Sequence, residues 1–417
     1  MVTTPTTRPT WRDPERVFLA SHGFMAIPEW AFFVTATVWW TLDLGLNPLR
    51  LVLLGTVLES VLLLSEVPTG VVADRYSRKW SIVIGSALEG SAMILLVSTT
   101  NFGVMLLAQA LYGVAWTFGS GADVAWLNDE LAAQHGAPPA DRRVSRILVR
   151  RHYWTMMAGF VGIVPGVVLG QWSLRGTMAL CGVTLILGSA ALAFVMTDHH
   201  RFGDDEDELH ALSIFREGFR VARRVRPVRL LLVVMLLAGL GAEALDRLGY
   251  KRFLDNGDYG DGSLLATGLL FGILAFLAVV VNKIVERTLN RGANLAALSA
   301  VLLTVSMVGA LLVGLAPALG IAVGLAIQDP CRESLDPVTM AWGNTFAPSG
   351  SRATVLSFVS LSHGVGEVVG GVALASLAEL AGLRWAMIGA AAIWLAGAAV
   401  ANAARGETAE PVTTGGG

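Results

Sequence analysis

The chain has 417 residues, of which 54% are hydrophobic and only 15% are charged, with a formal net charge of −2. A soluble domain carries about 25% charged residues, and the mean hydropathy here is +0.61, so the composition excludes an ordinary soluble protein. The balanced charge gives no basic field for nucleic acid. The two cysteines, Cys181 and Cys331, lie in apolar stretches and form no disulfide framework.

The apolar stretches predict twelve membrane-spanning helices of roughly 20 residues each. The polar N-terminal segment lacks the apolar core of a signal peptide, so we expect the first span to stay in the membrane. The predicted spans are 17–41, 51–72, 81–99, 104–127, 153–172, 177–196, 228–247, 263–285, 294–313, 318–341, 353–378 and 384–403.

Four regions follow from this pattern. They are an N-terminal six-helix half (1–196), a central cytoplasmic loop with an amphipathic helix (197–227), a C-terminal six-helix half (228–403) and a disordered cytoplasmic tail (404–417). Most basic residues lie at the N-terminus, in the central loop and in the connections on the same side of the membrane as these two segments. The opposite side has few, among them Arg247, Lys251 and Arg252 at the end of the seventh span. The positive-inside rule therefore predicts cytoplasmic termini and insertion in the inner (plasma) membrane of the cell.

Three pairs of segments recur in the same order in both halves. They are GADVAWLND (121–129) with PVTMAWGNT (337–345), ADRYSR (73–78) with NKIVER (282–287), and the glycine-dense GIVPGVVLG (162–170) with GVGEVVGG (364–371). A duplicated six-helix unit is an arrangement of secondary transporters, in which the substrate site lies between the halves. The glycines predict close helix packing.

The connection after the second span carries Gly70, Asp74, Arg75, Arg78 and Lys79 in the pattern G-x-x-x-D-R-x-x-R-K. This pattern resembles the signature of the major facilitator superfamily (MFS), although Ser77 stands where that family usually has glycine. The segment WGNTFAPSGSRATVLSFVS (342–360) resembles a run in bacterial drug and multidrug efflux members. The resemblance implies an all-α membrane fold of two pseudo-symmetric six-helix halves, a transporter and not an enzyme, no cofactor, and a monomer that binds protons and a small-molecule substrate.

The resemblance also implies a cytoplasmic gate at this connection. Asp74 would lie against the N-terminus of the eleventh span, where a helix dipole favours a carboxylate. Arg78 would reach an acid at the foot of the fourth span, either Asp123 or Asp129. The alternative is a basic loop that only fixes topology. The residues assigned to the gate are Glu66, Gly70, Asp74, Arg75, Arg78, Lys79 and Asp129.

Ionisable residues within the spans are costly in a bilayer and therefore mark a candidate site. Glu29 lies near the middle of the first span, and we expect it to exchange a proton for a cationic substrate, unless it is a structural acid. Asp329 and Arg332 can neutralise each other at a spacing of three, or Arg332 can bind an anionic group. Glu59 and Glu89 are further candidates, with the alternative that either simply faces another helix. The predicted cavity residues are Glu29, Trp30, Trp116, Asp123, Glu243, Asp329, Arg332, His363 and Glu367.

These features favour a proton-coupled exporter of lipophilic, often cationic molecules, such as an antibiotic efflux antiporter. The glycine–proline run of the fifth span departs from the order typical of proton-coupled drug exporters, so coupling would use other residues. The sequence has no phosphate-binding loop of the kind that ATP-driven transport would need. The spacing of its histidines does not match that of metal ligands. A proton-coupled uptake symporter and a non-transporting sensor or scaffold remain alternatives, and the sequence does not identify the substrate or the oligomeric state.

Overall fold

The computed structural model describes residues 10–135, 141–199, 220–221, 223–347 and 352–406. Within these ranges the chain is helical and contains no strand. The predicted amphipathic helix of the central loop and the C-terminal tail lie almost entirely outside the described residues. The chain forms two compact units, one made of residues 1–39 and 60–203, the other of residues 40–59 and 204–417. The first part of the second span thus packs with the second unit.

The helices before the central loop number seven among the described residues. A π-helical turn, Trp39–Asp43, extends the first of them. They are α1 (Pro14–Val38), α2 (Pro48–Arg75), α3 (Arg78–Val97), α4 (Phe102–Gly119), α5 (Ala122–His135), α6 (Asp141–Gly170) and α7 (Leu174–Val195).

The described helices after the central loop number eight. A second π-helical turn, Leu245–Gly249, joins the first two of them. They are α8 (Arg226–Ala244), α9 (Tyr250–Asn256), α10 (Ser263–Asn290), α11 (Leu295–Leu315), α12 (Ala318–Glu333), α13 (Leu335–Phe346), α14 (Arg352–Ala381) and α15 (Leu383–Ala403).

Eleven helical segments in the described part of the chain are long and apolar enough to cross a membrane. They correspond to all the predicted spans except the tenth, 318–341. That span is divided into α12 of 16 residues and α13 of 12 residues. Pro330 has no backbone N–H and lies in the last turn of α12, where its carbonyl accepts hydrogen bonds from the backbone and the hydroxyl of Ser334. The all-helical membrane fold is confirmed, and a count of twelve spans is consistent with it.

The seventh span is longer than predicted. It was expected to end at residue 247, but the helix continues through the π-helical turn to Asn256. Arg247, Lys251 and Arg252 therefore lie within this helical segment and not after it, and the side of the membrane predicted for them stays a prediction. The charges are satisfied locally, since Arg252 donates to the carbonyls of Val313 and Gly314 at 2.6 and 2.8 Å.

The second span also continues beyond its predicted end. Helix α2 runs through Pro68 and Gly70 to Arg75, so the turn is confined to the two residues before α3. Ser77 accepts a hydrogen bond from the backbone N–H of Trp80 at 3.1 Å and donates its hydroxyl hydrogen to Asp198 at 2.8 Å. A serine at this position therefore caps α3, which a glycine side chain cannot do.

The glycine-dense runs pack closely, as predicted. A Cβ added to Gly162 of α6 would lie only 3.0 Å from the Cα of Ile27 in α1. In the second unit, a Cβ on Gly366 of α14 would lie 2.9 Å from the backbone nitrogen of Leu240 in α8. The first and fifth spans therefore meet as the seventh and eleventh do, which is the structural counterpart of the sequence repeat.

Candidate functional site

The first unit contains an open cavity of about 480 Å³ between α1, α3, α4, α5 and α6. A cavity of this size suits a small ligand. Its lining is unusually rich in ionisable side chains for a membrane helix bundle. These side chains are His22 and Glu29 of α1, Glu89 of α3, Asp123 of α5, and Arg151 and His152 of α6.

Three of these side chains form one network. Asp123 Oδ2 is 3.0 Å from His22 Nε2 and 2.7 Å from Arg151 Nη1. The other ring nitrogen of His22, Nδ1, is 2.7 Å from the carbonyl oxygen of Phe18. Asp123, predicted as a cavity acid, is thus held by side chains from α1 and α6 that sequence reasoning did not assign.

The geometry of His22 defines where hydrogens are needed. A carbonyl oxygen can only accept, so Nδ1 must carry a hydrogen towards Phe18. A carboxylate also only accepts, so Nε2 needs a second hydrogen unless Asp123 itself is protonated. A neutral imidazole beside a carboxylate would therefore lack a hydrogen for this contact. The contact between His22 and Asp123 needs one further proton, which either side chain can carry.

Glu29 and Glu89 bring two carboxyl groups to the same cavity. Glu89 is 7% exposed, and its Oε1 accepts a hydrogen bond from the hydroxyl of Tyr112 at 2.9 Å. Among the residues that the structure describes, none forms an ion pair with Glu29 or Glu89. Two ionised carboxylates in one cavity within a membrane helix bundle repel each other, so the pair favours a proton or a bound cation. Glu89 therefore both contacts Tyr112 of α4 and lines the cavity, and its role stays open.

The two tryptophans predicted for the cavity have different surroundings. Trp116 lines the cavity and is 48% exposed. The indole of Trp30 instead lies against Gly159 of α6, where an added Cβ would be 2.7 Å from its ring nitrogen. Trp30 is not among the residues that line the cavity. The aromatic wall next to the carboxyl groups is therefore Trp116.

In the second unit, Arg332 is shared by two acids. Its Nη2 is 2.9 Å from Asp246 Oδ1 and 3.3 Å from Asp329 Oδ1. The pairing of Asp329 with Arg332 is confirmed, and Asp246 from the π-helical turn joins it. Two carboxylates neutralise this guanidinium, which favours a structural ion pair over a site for an anionic substrate.

The remaining predicted acids of the second unit are also paired. Glu243 is 5% exposed and its Oε1 is 3.1 Å from Arg247 Nε, one helical turn away. The guanidinium of Arg247 lies 5.5 Å from the centre of the Trp40 ring. His363 Nδ1 is 3.4 Å from Glu367 Oε2. These residues were predicted as cavity groups, and the structure places each in a local pair.

The predicted gate is organised by Arg78. Its Nη1 is 2.5 Å from Asp129 Oδ2, and its Nη2 is 3.0 Å from Asp74 Oδ1. Asp129 is therefore the partner at the foot of the fourth span, while the other candidate, Asp123, binds Arg151. The contact predicted between Asp74 and the eleventh span stays a prediction.

Other residues assigned to the gate take no part in this ion-pair cluster. Arg75 is exposed, and Lys79 Nζ lies 5.3 Å from the centre of the Trp80 ring. Glu66 is exposed on the last turns of α2. Gly70 lies within that helix, where an added Cβ would meet no atom within 4 Å. Close packing within the unit therefore does not explain this glycine.

A buried acid next to the gate was not predicted. Glu130 is fully buried, and its carboxylate accepts hydrogen bonds from the hydroxyl of Thr197 and from the backbone and ring N–H groups of His199. The indole N–H of Trp126 donates to the carbonyl of Thr197 at 2.8 Å. The start of the central loop is therefore fixed to α5. The sequence signal was an acid directly after Asp129 in a helix expected to end near residue 127.

The bundle of long apolar helices with a polar internal cavity defines a multi-pass membrane transporter. The profile of the Major Facilitator Superfamily matches residues 18–331. The chain belongs to this superfamily. Among curated proteins, no sequence matches the chain.

Solved structures of MFS-type transporters share the fold. The nucleoside transporter NupG superposes with a TM-score of 0.77 at 11% identity, over 95% of this chain and 100% of that chain. A POT family transporter in complex with a thioalcohol-conjugated peptide gives 0.72 at 13% identity, over 94% and 95%. An inward-facing bacterial homologue of the human lysosomal transporter Spinster gives 0.71 at 14% identity, over 96% and 98%. At these identities the likeness shows the fold alone.

Proposed function

We propose that the protein exports lipophilic cations in exchange for protons, by alternating access. The observation that carries the proposal is the presence of Glu29 and Glu89 in one cavity with no basic partner among the described residues. A cation can replace the protons that such a pair would otherwise hold. Trp116 supplies an aromatic face beside the carboxyl groups, which suits a cation with an apolar body.

The exchange needs only the chain's own carboxyl groups. A cation that enters the cavity stabilises the ionised form of Glu29 or Glu89, so a carboxyl proton leaves to water as the cation binds. When the cation leaves on the other side, the carboxylate takes up a proton again. Because the same groups hold either the proton or the cation, the two are transported in opposite directions.

The contact between His22 and Asp123 offers a second proton-binding position in the same cavity. It requires one proton while the hydrogen bond to Phe18 is kept. Arg151 stabilises the carboxylate of Asp123 at 2.7 Å, and His152 faces the cavity from the same helix. We propose that loss of this proton loosens the link between α1 and α5, which prepares the first unit for the conformational change.

The ion-pair cluster at Arg78 is the candidate for a gate. Its ion pairs with Asp74 and Asp129 join the end of α2, the start of α3 and helix α5. We propose that this cluster forms in one state of the transport cycle and breaks in the other, as in other bistable switches. The carboxylate of Asp74 is 68% exposed, so breaking its pair with Arg78 costs little free energy. Asp129 is only 18% exposed, so its pair with Arg78 is the more costly one to break.

The direct test uses proteoliposomes with an acidic interior and a neutral exterior. Valinomycin and equal potassium on both sides keep the membrane potential at zero. Exchange of protons for tetraphenylphosphonium should then accumulate the cation inside, and a protonophore should abolish the accumulation. Glu29→Gln and Glu89→Gln should each lower the gradient-driven uptake at least tenfold. The matched control is Glu286→Gln, which removes an exposed acid of α10.

Uptake symport is the second candidate, because a nucleoside transporter and a peptide transporter are among the structural neighbours. The same experiment distinguishes the two. A symporter would carry solute out of the acidic vesicles together with protons, and accumulation would require the opposite gradient. A sensor or scaffold would move no solute under either gradient.

A further inference from the structure

The second unit has a groove that shares no lining residue with the proposed transport site. It has a volume of about 590 Å³ and lies between the first half of α8 and the first half of α14. Two basic residues lie at one end, and the walls below them are almost entirely apolar. The lining residues are Arg223, Arg229, Leu232, Leu236, Phe358, Leu361, Ser362 and Val365.

The basic end of the groove belongs to a dense arginine cluster. Residues 220–229 contain five arginines and no acid. All five are exposed, at the point where the predicted seventh span enters the membrane. A cluster of this kind directly before a membrane helix attracts anionic lipid headgroups. The predicted orientation places it on the cytoplasmic face, where anionic lipids concentrate.

Packing holds this segment in place beside the groove. Val221 is buried in a cluster with Val228, Ala347 and Val355. The backbone N–H of Val225 donates to the carbonyl of Val221 at 2.8 Å. The guanidinium of Arg229 donates to the carbonyl of Arg223 at 3.2 Å, which brings the two arginines of the groove together. The charges are therefore presented at a defined position.

The apolar walls continue from the arginines along the helices. Leu236 lies seven residues after Arg229, which is about 10 Å along a helix axis. Leu361 and Val365 on the opposite wall are 44% and 42% exposed. A free anion would contact the arginines but leave these walls uncovered, whereas a phosphate with an acyl chain below it fills both parts of the groove.

We propose that this groove is a binding site for one anionic phospholipid. The phosphate contacts Arg223 and Arg229, and an acyl chain lies against Leu232, Leu236 and Leu361. A lipid bound here packs on α8 and α14, which meet through Gly366. The bound lipid would therefore stabilise the contact between these two helices.

The test titrates the purified full-length protein in detergent with dioleoylphosphatidylglycerol or dioleoylphosphatidylcholine and counts bound lipids by native mass spectrometry. We expect one phosphatidylglycerol to bind more tightly than phosphatidylcholine. Arg223→Gln with Arg229→Gln should weaken this binding about 25-fold, at about fivefold per arginine. Leu361→Trp, which fills the groove and keeps its charge, should also weaken it. The matched control is Arg287→Gln with Arg291→Gln, two exposed arginines at the end of α10.

Three results would overturn the proposal. One is phosphatidylglycerol binding that is unchanged in the Arg223→Gln, Arg229→Gln variant. Another is an equal loss in the control variant, which would show general charge attraction only. The third is full competition by inorganic phosphate together with no effect of Leu361→Trp, which would show a free-anion site and no lipid site. Size-exclusion profiles like that of the wild type confirm that each variant is folded.

Discussion

The ion pairs of Arg332 allow a quantitative prediction. Replacing Arg332 by methionine keeps most of the side-chain volume but leaves Asp246 and Asp329 without their shared cation. Removing one partner of a buried ion pair costs about 3–5 kcal/mol. The side chains of Arg332 and Asp329 are 14% and 13% exposed, whereas that of Asp246 is 30% exposed. Partial solvation of Asp246 places the expected loss near the lower end, at about 3 kcal/mol.

The measurement is thermal unfolding of the detergent-solubilised protein, followed by tryptophan fluorescence. A loss of about 3 kcal/mol in a chain of this length lowers the midpoint by roughly 3 °C. Adding Asp246→Asn to Arg332→Met removes one stranded carboxylate and should recover part of this shift. The matched control, Arg291→Met, changes an exposed arginine and should leave the midpoint unchanged.

Two outcomes would refute this reasoning. A wild-type midpoint for Arg332→Met would show that the ion pairs contribute nothing to stability. A stable Arg332→Met protein that loses only transport of anionic substrates would show that Arg332 is a substrate-binding residue.

Three further substitutions test other parts of the account. Asp74→Asn should leave stability within about 1 kcal/mol, because the carboxylate is 68% exposed, but should strongly lower transport; a wild-type rate at matched protein level would refute the gate. Ser77→Ala should lower the free energy of unfolding by about 1 kcal/mol through loss of the cap of α3, and an unchanged midpoint of unfolding would contradict this. Gly162→Ala should lower the free energy of unfolding by about 1–3 kcal/mol through overpacking against α1. The control Gly272→Ala should not lower it, because a Cβ there meets no atom within 4 Å. Equal effects of both substitutions would contradict the packing argument.

The sequence predicted the fold well because hydropathy and basic residues act locally along the chain. Its errors came from charges that tertiary contacts satisfy. The seventh span was ended at residue 247, where charged residues begin, but Arg247 pairs with Glu243 one turn away and the helix continues. The tenth span was read as one helix, whereas the single residue Ser334 separates α12 from α13.

Residue spacing predicted contacts of the site only between neighbours along one helix, whereas the contact of Arg78 with Asp129 was expected from the family resemblance. The pair of Asp329 and Arg332 follows from a spacing of three. By contrast, His22, Asp123 and Arg151 come from three helices that are far apart in sequence. No single-helix pattern shows that they meet, so sequence reasoning found the acid but not its partners.

The central claim is that the cavity of the first unit holds either protons or a cation. Its most direct measurement is proton release, followed with a pH indicator in weakly buffered detergent solution, when tetraphenylphosphonium is added to the purified protein. The account predicts release by the wild type that saturates with cation binding, is lost in Glu29→Gln and is reduced in Glu89→Gln. Cation binding without proton release, or release that is unchanged in both variants, would contradict it.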